Sequence, residues 1–88
     1  MHYTYIIWSK DYDIFYKGVT QNPEHRILEH NNDLGRFTAG KGPWALVYFK
    51  QHTSKTEALI EEKRIKKLNE RAIRKLINSP DNKAPKLG

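Results

Sequence analysis

The sequence predicts an α+β domain: a small, mostly antiparallel three-stranded sheet packed with helices, in the order β-β-α-β-α-α. Three observations lead there. Residues 3–9 and 14–19 are rich in β-branched and aromatic side chains, and the short break between them, 10–13, has the length of a hairpin connection. Asn22-Pro23 and Ser54-Lys55-Thr56-Glu57 both carry helix-start chemistry, one as an N-cap with a first-turn proline, the other as a capping box. Between them lies Trp44-Ala45-Leu46-Val47-Tyr48-Phe49, the most hydrophobic run of the chain. A hairpin, a helix, a returning strand and two further helices make a sheet with helices against it.

In the first strand, alternation sets Tyr3, Tyr5 and Ile7 on one face and Thr4, Ile6 and Trp8 on the other. Large side chains on both faces predict a strand covered from both sides. The helix over residues 23–31 is expected to bury Ile27 and Leu28, and to stop in the Asn- and Gly-rich run Asn31-Asn32-Asp33-Leu34-Gly35. A loop with two glycines and two cations, Arg36-Phe37-Thr38-Ala39-Gly40-Lys41-Gly42, leads to Pro43 and the third strand. Its hydrophobicity predicts a central or nearly central position for that strand. The next helix carries Ala58, Ile65 and Leu68 as an apolar stripe and breaks near Asn69, and Ile73, Leu76 and Ile77 mark a shorter last helix. The domain is read as residues 1–78. Residues 79–88, with two prolines and few apolar side chains, are read as a flexible tail.

Composition narrows the function class. The 88 residues allow one modest core, and without cysteine there is neither a disulfide framework nor a thiolate zinc site. No apolar run is long enough to span a membrane and no signal-peptide pattern is present, so an intracellular, cytoplasmic protein is expected. The net charge of +6 favours a polyanionic partner. Lys63, Arg64, Lys66, Lys67, Arg71, Arg74 and Lys75 concentrate that charge on the last two helices, which a solvated basic face would also explain.

The polar constellation of interest runs from Tyr16 to Asn31. Arg26 and His30 stand four residues apart on one helix face, just after a strand that ends around Tyr16 and Gly18. Phosphodiester hydrolysis needs a base for water, a cation near the developing phosphorane charge, and usually a metal on an acidic ligand. Tyrosine, arginine, histidine and a helix-borne glutamate have the chemistry for these tasks. Each also has an ordinary structural role: Arg26 paired with Glu29 or Asp33, His30 at a helix C-terminus, and Glu62 paired with Lys66, with Glu61 as its neighbouring rival. Trp8 and Trp44 are read as core.

Joint spacing separates these readings. The chain resembles the GIY-YIG (URI) nuclease domain family, in its small bacterial branch related to the N-terminal nuclease domain of the ABC excinuclease. Tyr3-Thr4-Tyr5 and Tyr16-Lys17-Gly18 correspond to the two tripeptides, both degenerate. Gly18-x-Thr20, Arg26, His30-Asn31, Phe37-Thr38, Pro43-Trp44-x-Leu46-Val47-Tyr48 and Ala58-x-x-x-Glu62-x-x-x-Lys66-Lys67 match the family in identity and spacing. The resemblance implies a metal-dependent DNA endonuclease, in repair or recombination. Tyr5 and Tyr16 would be the active-site tyrosines, one of them the general base, with Arg26 stabilising phosphate charge and His30 assisting. Glu62 would be the protein carboxylate on Mg²⁺ or Mn²⁺, weakly held without DNA. Lys17, which replaces the usual apolar residue, and Arg36, Lys41, Lys63, Lys66 and Lys67 would contact phosphates. Specificity would come from the basic helical face, a partner protein or a homodimer. Two alternatives from other classes stand beside this: a non-cleaving nucleic-acid-binding module of the same fold, and a basic protein-interaction domain.

Overall fold

The structure, a computed structural model, describes residues 1–84. Its elements are β1 (His2–Ser9), β2 (Ile14–Thr20), α1 (Pro23–Asn31), β3 (Trp44–His52), α2 (Lys55–Lys66) and α3 (Glu70–Ile77), in the expected order. All strand pairs are antiparallel, with Tyr5 opposite Gly18 on β2 and Phe49 on β3.

The sheet order is β2-β1-β3, so β3 is an edge strand and β1 is central. This corrects the placement expected from hydrophobicity. β3 owes its apolar character to packing on both faces rather than to pairing on both edges, because a helical layer lies on each side. A bulge adds to this by bringing two consecutive residues into one core. The register with β1 passes from Ile6 opposite Tyr48 to Ile7 opposite Leu46, and consecutive Val47 and Tyr48 join the same core cluster. That cluster, with Ile6, Ile65 and Ile73, lies under α2 and α3. The opposite face gathers Tyr5, Ile7 and Trp44, with Ile27 of α1 against them. β1 is thus covered from both sides, as its two-faced composition predicts.

The helix starts follow their local chemistry. Asn22 Oδ1 accepts the His25 N–H at 3.1 Å, Ser54 Oγ accepts the Glu57 N–H at 3.2 Å, and Asn69 Oδ1 accepts the Ala72 N–H at 2.9 Å. Only half of the capping box forms, since the Glu57 carboxylate accepts from the Thr53 hydroxyl instead. A second correction concerns Leu28, which is 61% exposed. α1 turns Pro23, Ile27 and His30 inward, a three- and four-residue spacing that leaves the position after Ile27 facing out.

The segment read as loose is held against the sheet as far as Ala84. Asn82 Nδ2 donates to the carbonyls of Val47 and Ile77 at 2.7 and 2.8 Å, and Ala84 is buried. Two polar side-chain bonds to β3 and α3 supply what the apolar-poor sequence of this segment lacks. The rest of the expected tail, residues 85–88, lies outside the described residues.

Candidate active site

The sheet register builds the site first. Tyr5 and Gly18 are direct partners across β1 and β2, so the missing side chain at position 18 lies beneath the Tyr5 ring. A Cβ on Gly18 would fall 2.6 Å from the Tyr5 hydroxyl oxygen. Tyr16, two residues along β2, shares that face, whereas Lys17 points to the other. The face carrying both tyrosines is the one that α1 covers.

α1 brings His30 to the tyrosines. His30 Nε2 is hydrogen-bonded to Tyr5 Oη at 2.8 Å, and His30 Nδ1 to Thr38 Oγ1 at 2.7 Å. All three residues are no more than 2% exposed, so this chain of polar groups is sealed from bulk water. The Tyr16 ring meets the His30 ring at 5.3 Å, edge to face, and stacks on Phe37 at 5.6 Å. Lys41 Nζ lies 4.5 Å from the centre of the Phe37 ring and donates to the Phe37 carbonyl, which brings this cation to the Tyr16 side.

Burial dominates the acid–base behaviour. It pushes the Tyr5 phenol up to about 12, with the Arg26 guanidinium opposing and the Tyr16 and Glu62 charges adding to the rise. Arg26 opposes the rise by hydrogen bonding to the Tyr5 side chain and by its charge, and it also pairs with Glu29 at 3.5 Å. His30 is pushed down to about 4 by burial and by the nearby Arg26 charge, and is neutral at pH 7. The neutral ring and neutral phenol therefore meet a fixed cation.

Glu62 approaches from α2. Its carboxylate is 18% exposed and 3.7 Å from Lys66 Nζ, and its charge reaches Tyr5. Glu61 turns the other way, pairing with Arg64 and with Lys50 at 3.7 Å and acting on Tyr48. The neighbouring rival thus faces a different part of the molecule. Lys17 is held below its ordinary value by burial and by Lys66, so these two lysines stand near each other on the α2 side. Arg36, Lys63 and Lys67 are exposed and form no ion pair or side-chain hydrogen bond among the described residues.

Among the described residues no three His, Cys, Asp or Glu side chains gather to hold a metal ion. One partly exposed carboxylate suits a hard cation that completes its shell with water and substrate oxygens, as Mg²⁺ does, and does not suit a stored ion. Glu62 fits that description.

Two residues that hold the site had no role assigned from sequence. Asn31 behaves like one residue of a paired strand: its Oδ1 accepts the Trp44 N–H at 2.6 Å and its Nδ2 donates to the Trp44 carbonyl at 3.0 Å. This pins the end of α1 to the start of β3. Thr38 receives the Trp44 indole N–H on its carbonyl at 3.1 Å, which anchors the loop that carries it under His30. A polar residue before the Gly-rich loop and another within it were the available signal.

The family model for the GIY-YIG catalytic domain matches residues 1–78. A UPF0213 protein of Clostridium perfringens is 45% identical over 80 residues, covering 90% of this chain and 85% of that protein. One of Oceanobacillus iheyensis is 43% identical over 68 residues, covering 76% of this chain and 78% of the relative. The solution NMR structure of a UPF0213 protein from Bacillus halodurans superposes with a TM-score of 0.58 at 34% identity, covering 91% of this chain and 85% of that one. The chain belongs to the GIY-YIG catalytic-domain family, a nuclease family, in its UPF0213 group.

Proposed function

We propose that this protein is a divalent-metal-assisted endonuclease that hydrolyses phosphodiester bonds in DNA. The observation that carries this reading is the sealed Tyr5–His30–Thr38 chain, set beside Arg26 and within reach of the Glu62 charge. Such a chain costs a small core apolar volume, and the family's chemistry gives it a use.

Tyr5 is the better candidate for the general base. Its oxygen touches His30 and lies near Arg26, so a phenolate there has both a hydrogen-bonding neighbour and a cation. Tyr16 is half-buried and packs between His30 and Phe37, a position for orienting water or a phosphate oxygen. A phenol at about 12 is idle at neutral pH until more positive charge arrives. Glu62 would hold a divalent cation, which would supply such charge and polarise the phosphate. Arg26 then faces the equatorial oxygens, where its planar fork matches phosphate. The base would become competent only in the loaded complex. Lys17 and Lys66, with Lys41 on the Tyr16 side, hold the DNA backbone, and Arg36, Lys63 and Lys67 extend that contact. A role in repair or recombination is consistent with a domain that reads backbone more than sequence.

Cleavage of nicked, flap, branched and duplex DNA with Mg²⁺ or Mn²⁺ tests this. Metal-dependent cleavage that disappears in Glu62→Ala and Arg26→Ala is expected. Tyr5→Phe should lose more rate than Tyr16→Phe, and the reverse order would exchange their roles. Salt-sensitive DNA binding with no cleavage under any metal would replace the enzyme reading with the binding-module one.

A further inference from the structure

Among the described residues, Tyr12 and Phe37 are the exposed aromatic side chains, each at 55%; the other aromatic rings are buried or half-buried. Both meet the loop between α1 and β3. Phe37 belongs to it, and the Tyr12 hydroxyl donates to the Gly40 carbonyl at 3.4 Å. Single exposed apolar residues are ordinary on a protein surface, so the neighbours of Phe37 decide its meaning. It belongs to neither core cluster. Its ring stacks on Tyr16 at 5.6 Å with 24° between the planes, and the next residue, Thr38, is fully buried and fixed to His30 and to the Trp44 indole. Stacking on Tyr16 occupies one face of the ring. Lys41 Nζ lies over the ring, 4.5 Å from its centre, and its side-chain hydrogen bond is to the exposed Phe37 carbonyl at 2.8 Å. A cation–π contact in water is weak, and a phosphate oxygen competes well for the ammonium.

We propose that Phe37 is a stacking platform for a nucleobase beside the site, so that the preferred substrate is DNA offering an unpaired nucleotide there: a single-stranded segment, a flap, or a frayed end at a nick. The place of this platform in catalysis rests on the nuclease reading; base stacking itself is read by binding alone. The ring selects the base over the rest of the nucleotide, because its face is apolar and carries the negative end of the quadrupole, which repels phosphate and accepts a flat base. Inside a duplex each base has both faces covered by its neighbours, and freeing one costs unstacking and unpairing. An unpaired base has a face to give. The platform is already fixed by Tyr16 and Thr38, so little order is lost when a base arrives. Lys41, drawn off the ring, meets a phosphate of the same strand, which gives the pairing of aromatic and cation that suits single-stranded nucleic acid. Tyr12, bonded to the residue before Lys41, lies along the same loop.

The test is a fluorescence-anisotropy titration of the full chain, without divalent metal, against a short oligothymidylate and an abasic oligomer of the same length. Both carry the same phosphates, so the cation contacts cancel in the comparison. The wild type should bind the oligothymidylate at least about fivefold more tightly, the lower end for one base stacked on one aromatic ring. Phe37→Leu keeps an apolar side chain over Tyr16 and removes the aromatic face. It should bind the two oligomers nearly equally, with its affinity for the abasic one unchanged, and Phe37→Trp should keep or widen the wild-type gap. Equal wild-type affinities would overturn the proposal, and so would a Phe37→Leu protein that retains the gap. If Phe37→Leu does not fold, the wild type and Phe37→Trp decide the matter, a lost gap in Phe37→Trp overturning it. In single-turnover cleavage with Mg²⁺, the wild-type preference for flap over uninterrupted duplex should narrow in Phe37→Leu. Failure of the wild type to cleave any DNA would remove the nuclease reading, while the titrations would still support or overturn the platform.

Discussion

Replacing Gly18 with alanine should disable the site while leaving its polar residues in place. The added Cβ would stand 2.6, 2.7 and 2.8 Å from the Oη, Cζ and Cε1 atoms of Tyr5, whereas ordinary contact begins near 3.4 Å. The ring therefore has to retreat by about 0.7 Å. It has little room to do so, being 2% exposed and packed with Ile7 and Trp44. Overpacking of this kind costs roughly 1–3 kcal/mol of stability. The same retreat stretches the 2.8 Å bond to His30 to the edge of hydrogen bonding. A misplacement approaching 1 Å at a reacting group costs on the order of 10²-fold in rate. Single-turnover cleavage at saturating DNA should thus fall by tens of fold, with DNA affinity nearly unchanged because the backbone contacts lie elsewhere. Urea unfolding on the same samples reads the stability cost. Gly40→Ala is the control: Gly40 sits at φ +75° with open space around its Cβ direction, so alanine there strains the backbone without touching Tyr5. It should lose stability at an unchanged cleavage rate. A Gly18→Ala protein with wild-type rate and stability would refute the idea that this close approach positions Tyr5.

Three further outcomes follow from the geometry. His30 is held neutral at about 4 in the folded protein against an ordinary 6.5, so between those values the unfolded chain binds a proton that the folded one does not. Stability should therefore fall as pH drops from 6.5 through 4, by up to about 3 kcal/mol, and urea midpoints of His30→Gln should lack this component. Asn31→Ala removes both bonds to the Trp44 backbone and should lower stability by roughly 1–3 kcal/mol in thermal unfolding, with the cleavage rate falling as the loop carrying Thr38 loosens. Arg26→Lys keeps the charge and loses the fork; cleavage should drop at least tenfold with DNA affinity nearly retained, and an unchanged rate would show that charge alone suffices.

Much of the fold was legible because local chemistry and global packing agree. Caps at Asn22 and Ser54 name two of the helix starts, and the two-faced composition of β1 names a strand between layers. The misread elements share a cause: their burial is decided by partners distant in sequence. Leu28 and Ile27 are equally apolar, and only the inward set of Pro23, Ile27 and His30 shows which faces the sheet. β3 is apolar because it packs on both faces and a bulge lets consecutive residues enter one core, a feature without a residue-type signature. In the site, identity and spacing singled out Tyr5, His30 and Glu62, and the structure turns Glu62 toward Tyr5 and Glu61 toward Tyr48. Thr38 and Asn31 matched in spacing, but their roles depend on which atoms meet across a folded loop.

The place of β1 in the sheet also bears on how the chain assembles. Its pairing with β2 closes through a short turn, whereas pairing with β3 brings His2 opposite His52 and waits for α1 and the whole glycine loop. Contacts of that sequence separation are slow to form. Until they do, Ile6 and Ile7 belong to a hairpin with one open edge, which is a template for pairing with another chain. Variants that loosen the Asn31–Trp44 link delay the capture of β3 and prolong that exposure. Their first symptom in an expression host would be insoluble protein, well before any fault in the active site could be measured.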